Sequence, residues 1–146
     1  MESKHPHRDE KQIESYGLAE CCYTDERGWV LFPWEVTKAP IDTATLHIVN
    51  IMPGATRGDH YHPRAAEWLC PIEGEGLLKW RSGSDSDVQE LCLEAHRICV
   101  KIHPGIRHAV TNIGGGELLL VAAREKDPKG DVTVPEKVES VRGEER

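Results

Sequence analysis

Three observations on this chain predict an all-β domain. Its apolar residues come in short runs of strand length, several of them rich in β-branched side chains, as in residues 43–52, Thr-Ala-Thr-Leu-His-Ile-Val-Asn-Ile-Met. Thirteen glycines and nine prolines supply the turns those runs need, and no stretch carries helical periodicity over an ordinary helix length. His60 and His62, the residues best suited to chemistry, stand at i and i+2, a spacing that shares one face when the backbone is extended.

Taken in order, residues 1–40 read as an N-terminal arm and an edge strand. Residues 1–14 are polar and aperiodic, a solvated arm in which His5 and His7 lack a third ligand. Gly28-Trp29-Val30-Leu31-Phe32-Pro33-Trp34 is apolar, and Pro33 confines it to an edge or a strand end because proline has no amide to give to a sheet. Residues 41–125 hold the strands of the domain. The run 43–52 ends at Pro53-Gly54 and leads into His60 and His62, and Pro63-Arg64-Ala65-Ala66 fits a hairpin loop before a strand that ends at Ile72. Glu73-Gly74-Glu75-Gly76 then reverses the chain into residues 77–81, and a polar loop, 82–87, follows. Residues 88–94 and 97–102 are two strands joined at Ala95-His96, and 108–113 and 117–123 form a last hairpin across Gly114-Gly115-Gly116. Residues 126–146 read as a charged arm with no core of its own.

At 146 residues the chain has room for one core. A net charge of -7 and a pI near 5.6 exclude a nucleic-acid binder and a protein held on anionic membranes, since both need a basic face. No apolar run reaches membrane-spanning length. Cys21, Cys22, Cys70, Cys92 and Cys99 are odd in number and lack metal-knuckle spacing, and no secretory apolar segment precedes them, so reduced thiols and a cytoplasmic location are expected. Cys70, Cys92 and Cys99 lie in apolar runs and read as small core residues.

Strand alternation sends His60 and His62 to one side and Tyr61 to the other. A four-residue hairpin loop would bring Glu67 opposite His62 on the neighbouring antiparallel strand, where paired residues share a face. Pro104-Gly105-Ile106-Arg107-His108 supplies a further imidazole. His60, His62, Glu67 and His108 are therefore expected to hold one divalent transition metal per chain: zinc first, with iron, manganese and nickel accepted by the same donors. Three neutral imidazoles and a carboxylate leave such an ion a net charge of about +1 and one or two exchangeable positions, as in catalytic sites.

These residues resemble the cupin family. Its first motif, Gly-x5-His-x-His-x4-Glu-x6-Gly, is met by Gly54, His60, His62, Glu67 and Gly74. Its second, Gly-x5-Pro-x-Gly-x2-His-x3-Asn, is met at Gly105, His108 and Asn112, with His103 in place of the proline and Arg97 in place of the first glycine. The resemblance covers about residues 40–125 and implies a jelly-roll, or double-stranded β-helix, barrel with the metal inside. It also implies a homodimer through N-terminal strands, in line with the apolar stripe at residues 29–34.

Within that family, Thr56-Arg57-Gly58-Asp59-His60-Tyr61-His62 and His108-Ala109-Val110-Thr111-Asn112-Ile113-Gly114 are similar to the cupin epimerase and isomerase domains of nucleotide-sugar and capsular-polysaccharide biosynthesis. The similarity implies an isomerase or epimerase that acts on a nucleotide-linked keto sugar through metal-stabilised enediolate chemistry. Arg57 would bind the diphosphate, assisted by Arg64 or Arg107, since guanidinium matches phosphate in a bidentate way. Tyr61 would reprotonate the sugar, and His60 and His62 would act as acid and base were no metal bound. The alternative is a cupin dioxygenase or a non-catalytic, metal-dependent small-molecule sensor.

Overall fold

The structure, a computed structural model, describes residues 12–83 and 85–139. The expectations for His5, His7 and the rest of residues 1–11, and for residues 140–146, lie outside them. Twelve strands, β1 to β12 in chain order, are Ile13–Gly17, Cys22–Asp25, Gly28–Leu31, His47–Ile51, Thr56–Tyr61, Glu67–Glu73, Glu75–Arg81, Gln89–Glu94, Ile98–Ile102, Arg107–Asn112, Leu118–Arg124 and Val134–Pro135. A 3-10 turn at Ala19–Cys21 and one α-helical turn, α1, at Trp34–Thr37 complete the elements among the described residues.

Two five-stranded antiparallel sheets face each other, ordered β1-β9-β6-β11-β4 and β12-β5-β10-β7-β8. From β4 to β11 the chain crosses from one sheet to the other at every connection except β7 to β8, which is the jelly-roll path. Here three expectations are corrected. β5 and β6 are not a hairpin, nor are β6 and β7, nor β10 and β11, because each pair is split between the sheets. The turn at Gly74 is a corner at which β6 leaves one sheet and β7 enters the other. Gly74 has φ +91, and a Cβ there would lie 2.5 Å from the Glu117 carbonyl oxygen, so the corner admits only glycine. Alternation of apolar and polar residues tells which way a side chain faces and says nothing of which strand lies beside it.

The space between the sheets is filled by Ile51, Leu69, Leu78, Val100, Leu118, Leu120 and their neighbours. A second cluster covers the outer face of β6 and β9. There Leu18, Cys21, Leu31, Trp34, Val36 and Ala39 pack on Trp68, Cys70 and Cys99. The segment 28–34 is thus not one edge strand. β3 pairs only with β2, and the chain then turns into α1 at Pro33, whose fixed φ of -63 suits a helix start. Tyr23, Trp29, Val30 and Phe32 of this hairpin remain exposed. Cys92 is exposed as well, against its expected place in the core.

Over its described part, the C-terminal segment borrows the barrel's core. β12 pairs with β5, Val138 is buried, and the Asp59 carboxylate accepts the Val138 amide at 3.0 Å. Arg81, itself buried, donates to the Val138 and Lys137 carbonyls and to that of Gly83 at 2.8 Å. A buried guanidinium with these acceptors fixes the strap across β5 and β7.

Candidate metal centre

The sequence from Arg57 to His62 acquires its chemistry from one extra residue. In the β5–β10 ladder Arg57 lies opposite Val110, Gly58 opposite Ala109 and His60 opposite His108, and Asp59 is left unopposed. Gly58 and Asp59 have φ +111 and +58. Aspartate tolerates that region; at Gly58 a Cβ would stand 2.8 Å from the His108 carbonyl oxygen, so glycine is required. This is a β-bulge, and it resets the alternation. His108 and Val110, two apart, share the inner face of β10, so their partners His60 and Arg57 share it too, although they are three apart.

Glu67 reaches the same point from the opposite sheet. Its Oε1 lies 3.3 Å from His62 Nε2 and 3.3 Å from His108 Nε2. The His60 ring centroid is 4.9 Å from each of those two rings. One donor atom from each of the four residues lies within 4.8 Å of all the others. Second partners orient the imidazoles: His108 Nδ1–H donates to the Ile106 carbonyl at 2.9 Å, and His62 Nδ1 faces the Val132 carbonyl at 3.4 Å and the Thr133 hydroxyl at 3.3 Å. With Nδ1 carrying the proton, Nε2 presents a lone pair to the centre, the usual arrangement of a metal-binding histidine. His62 Nε2 is buried without a hydrogen-bond partner, and a lone pair aimed at a carboxylate oxygen needs a cation between them. The residues fit a divalent metal.

The protonation states agree. Burial first, then the neighbouring His108 and His62, lowers the His60 pKa to about 4, so this imidazole is neutral near pH 7. For Glu67 burial acts to raise the pKa, but the close polar contacts of His108, His47 and His62 outweigh it and hold the carboxyl well below its ordinary value. A neutral imidazole beside an ionised carboxylate is the ligand state a metal requires.

The cavity over this cluster measures about 790 Å³. All four expected metal ligands line it, and so does Arg57, whose Nε donates to the Asn50 carbonyl of β4 at 3.2 Å across the gap between the sheets. Tyr61, Arg64 and Arg107 do not. Tyr61 points away from the cavity and lies beneath the Arg107 guanidinium, 4.0 Å from its carbon. Arg107 is further engaged by Glu136 at 3.1 Å, and Arg64 by Asp127 at 2.8 Å. These contacts tie the strap to the outside of the barrel.

Two cavity residues escaped the sequence reading. His47 lines the cavity with Nε2 3.5 Å from Glu67 Oε2. The hydrogen bond to Glu67, helped by the Thr45 carbonyl, raises its pKa against the effect of burial. Arg124 ends β11, directly opposite Glu67. Its signal was available: it continues the inward series Leu118, Leu120, Ala122.

The family described as polysaccharide biosynthesis C-terminal domain has a model that matches residues 23–127. A search of curated proteins gives no match. Among solved structures, the capsular polysaccharide assembling protein CapF from Staphylococcus aureus is similar at 23% identity and a TM-score of 0.58, over 64% of this chain and 28% of that one. This chain therefore spans little more than a quarter of CapF. The 3,4-ketoisomerase QdtA from Thermoanaerobacterium thermosaccharolyticum, solved with TDP-4-keto-6-deoxyglucose, is similar at 15% identity and a TM-score of 0.64, over 83% and 86% of the two chains. The 3,5-epimerase RmlC from Legionella pneumophila, solved with dTDP-4-keto-L-rhamnose, is similar at 14% identity and a TM-score of 0.64, over 83% and 71%. At these identities the likeness is one of fold.

Proposed function

The chain belongs to the polysaccharide biosynthesis C-terminal domain family, and from its cavity we propose that it is an isomerase or epimerase of nucleotide-linked keto sugars that works at a divalent metal. The observation that carries this is the meeting of His60, His62, Glu67 and His108 inside a cavity that also receives Arg57. Those four residues would hold the ion, zinc first among the metals the donors accept. When bound, the ion supplies Lewis acidity that makes the carbon beside a ketone acidic enough to exchange its proton.

The chain's own residues do the rest. Arg57, tied to β4 through Nε and paired with no carboxylate among the described residues, offers the remaining nitrogens of its fork to a diphosphate. Val110, Leu69, Leu120 and Ile51 line the apolar part of the cavity and exclude water from the sugar. The solved structures of QdtA and RmlC carry nucleotide-linked 4-keto deoxysugars, and the proposal takes that class of ligand for this chain. A homodimer built on the β2–β3 hairpin belongs to the same proposal.

Deuterium incorporation from heavy water into a panel of 4-keto sugar nucleotides tests it. Metal-loaded protein should exchange one sugar proton, and both a chelator and His62→Ala should abolish the exchange. No incorporation across the panel by fully loaded protein overturns the reading.

A further inference from the structure

The cavity places two arginines, Arg57 and Arg124, against one carboxylate, Glu67, in a chain whose net charge is -7. These two arginines are at opposite ends. Arg57 is tied to Asn50, which pairs with Leu119 on β11, and Arg124 lies five residues farther along that strand. At about 3.3 Å per residue the two anchor points are roughly 17 Å apart, and Glu67 pairs directly with Arg124, so the donor set stands at the Arg124 end. A diphosphate held by Arg57 cannot reach Arg124.

Arg124 is also held differently from the arginines that stabilise the fold. Arg64 meets a buried carboxylate at 2.8 Å, and Arg81 is surrounded by carbonyls. Among the described residues, the ion pair of Arg124 is with Asp131, at 3.5 Å, and that aspartate's side chain is 50% exposed. An ion pair so long and so solvated contributes little and exchanges readily. Its partner is a carboxylate on the strap segment, and Arg124 itself lines the cavity.

Resting on the reading of this site as one for nucleotide-linked sugars, we propose that Arg124 selects a sugar that bears a carboxylate. Asp131 occupies the guanidinium in the free protein, and the incoming carboxylate takes its place. Guanidinium and carboxylate match in planar, bidentate geometry, and an uncharged hydroxyl or ketone could not compete with Asp131 for that position. The ligand is then anionic at both ends, with its reacting carbons over the donor set.

The test compares binding of UDP-glucuronate and UDP-glucose to metal-loaded full-length chain by titration calorimetry, with metal content and melting temperature checked for each variant. Wild type should bind the glucuronate at least tenfold more tightly. Arg124→Gln should erase that preference and leave UDP-glucose unchanged. Asp131→Asn should tighten glucuronate binding severalfold, a gain that structural damage would not produce. Arg57→Gln should weaken both ligands alike. Equal affinity of wild type for the two ligands, or a preference that survives Arg124→Gln, overturns the proposal; if Arg57→Gln still weakens both, the sugar-nucleotide reading stands without it. Failure of both ligands to bind overturns both.

Discussion

His47 shows how one side chain outside the cluster of His60, His62, Glu67 and His108 can govern it. Its Nδ1–H is committed to the Thr45 carbonyl at 2.9 Å, and its Nε2 stands 3.5 Å from the Glu67 oxygen that the other histidines do not approach. Glu67 is thereby gripped on both oxygens, which fixes the carboxylate plane before any ion arrives. Outer partners of this kind are worth about 10 to 100-fold in metal affinity. His47→Ala should therefore weaken metal binding roughly tenfold, measured by competition with a coloured chelator, while the fold stays intact by circular dichroism. Unchanged affinity would refute the positioning role. Arg64 and Arg107 make the opposite point: charge and proximity in sequence suited them to a ligand, yet Asp127 and Glu136 already hold them.

At the scale of elements, the bulge in β5 is where local backbone becomes chemistry. Gly58→Ala would force a side chain into a left-handed conformation at φ +111 and against the His108 carbonyl at 2.8 Å. We expect a loss of at least about 2 kcal/mol in the free energy of unfolding by denaturant, from strain and overpacking together, and weaker metal binding with it. Gly115→Ala, where a Cβ meets nothing within 4 Å, is the control and should be nearly neutral. A Gly58→Ala protein as stable as the control would show that the bulge relaxes freely.

The strands and the meeting of His60, His62, Glu67 and His108 were legible in the sequence because burial imposes period-two patterning and because His-x-His fixes a face. β8 to β11 begin and end within a residue or two of where the turns placed them. Strand partners were not legible. The short connections that suggested hairpins are corners between sheets, and nothing local distinguishes the two. Nor could alternation reveal that Arg57 and His60 face the same way, since the unopposed Asp59 inverts the pattern between them.

At the scale of the whole molecule, the β2–β3 hairpin is the feature that the rest of the chain leaves unfinished. Its two strands pair only with each other, and Tyr23, Trp29, Val30 and Phe32 are 56%, 43%, 55% and 48% exposed. Two-stranded ribbons are marginal alone, and burying those side chains in a second copy is worth several kcal/mol at about 25 cal/mol per Å². Sedimentation at micromolar concentration should give a dimer, and Val30→Asp with Phe32→Asp should give a folded monomer. A wild-type monomer would remove the dimer.

The donor set has a thermodynamic consequence of its own. Three of its residues belong to β5, β10 and the chain just after β5, whereas Glu67 belongs to the facing sheet. An ion held by all four is a clasp between two halves that otherwise meet through apolar side chains, so the separation of the sheets and the fraction of chains carrying metal become a single coupled variable. Any motion that lets the halves breathe releases the ion, and an ion in place damps that motion throughout the barrel. On the proposed function, a ligand entering the cavity between the sheets would draw on the same freedom, so that holding the metal and admitting the substrate would compete for one mechanical degree of freedom.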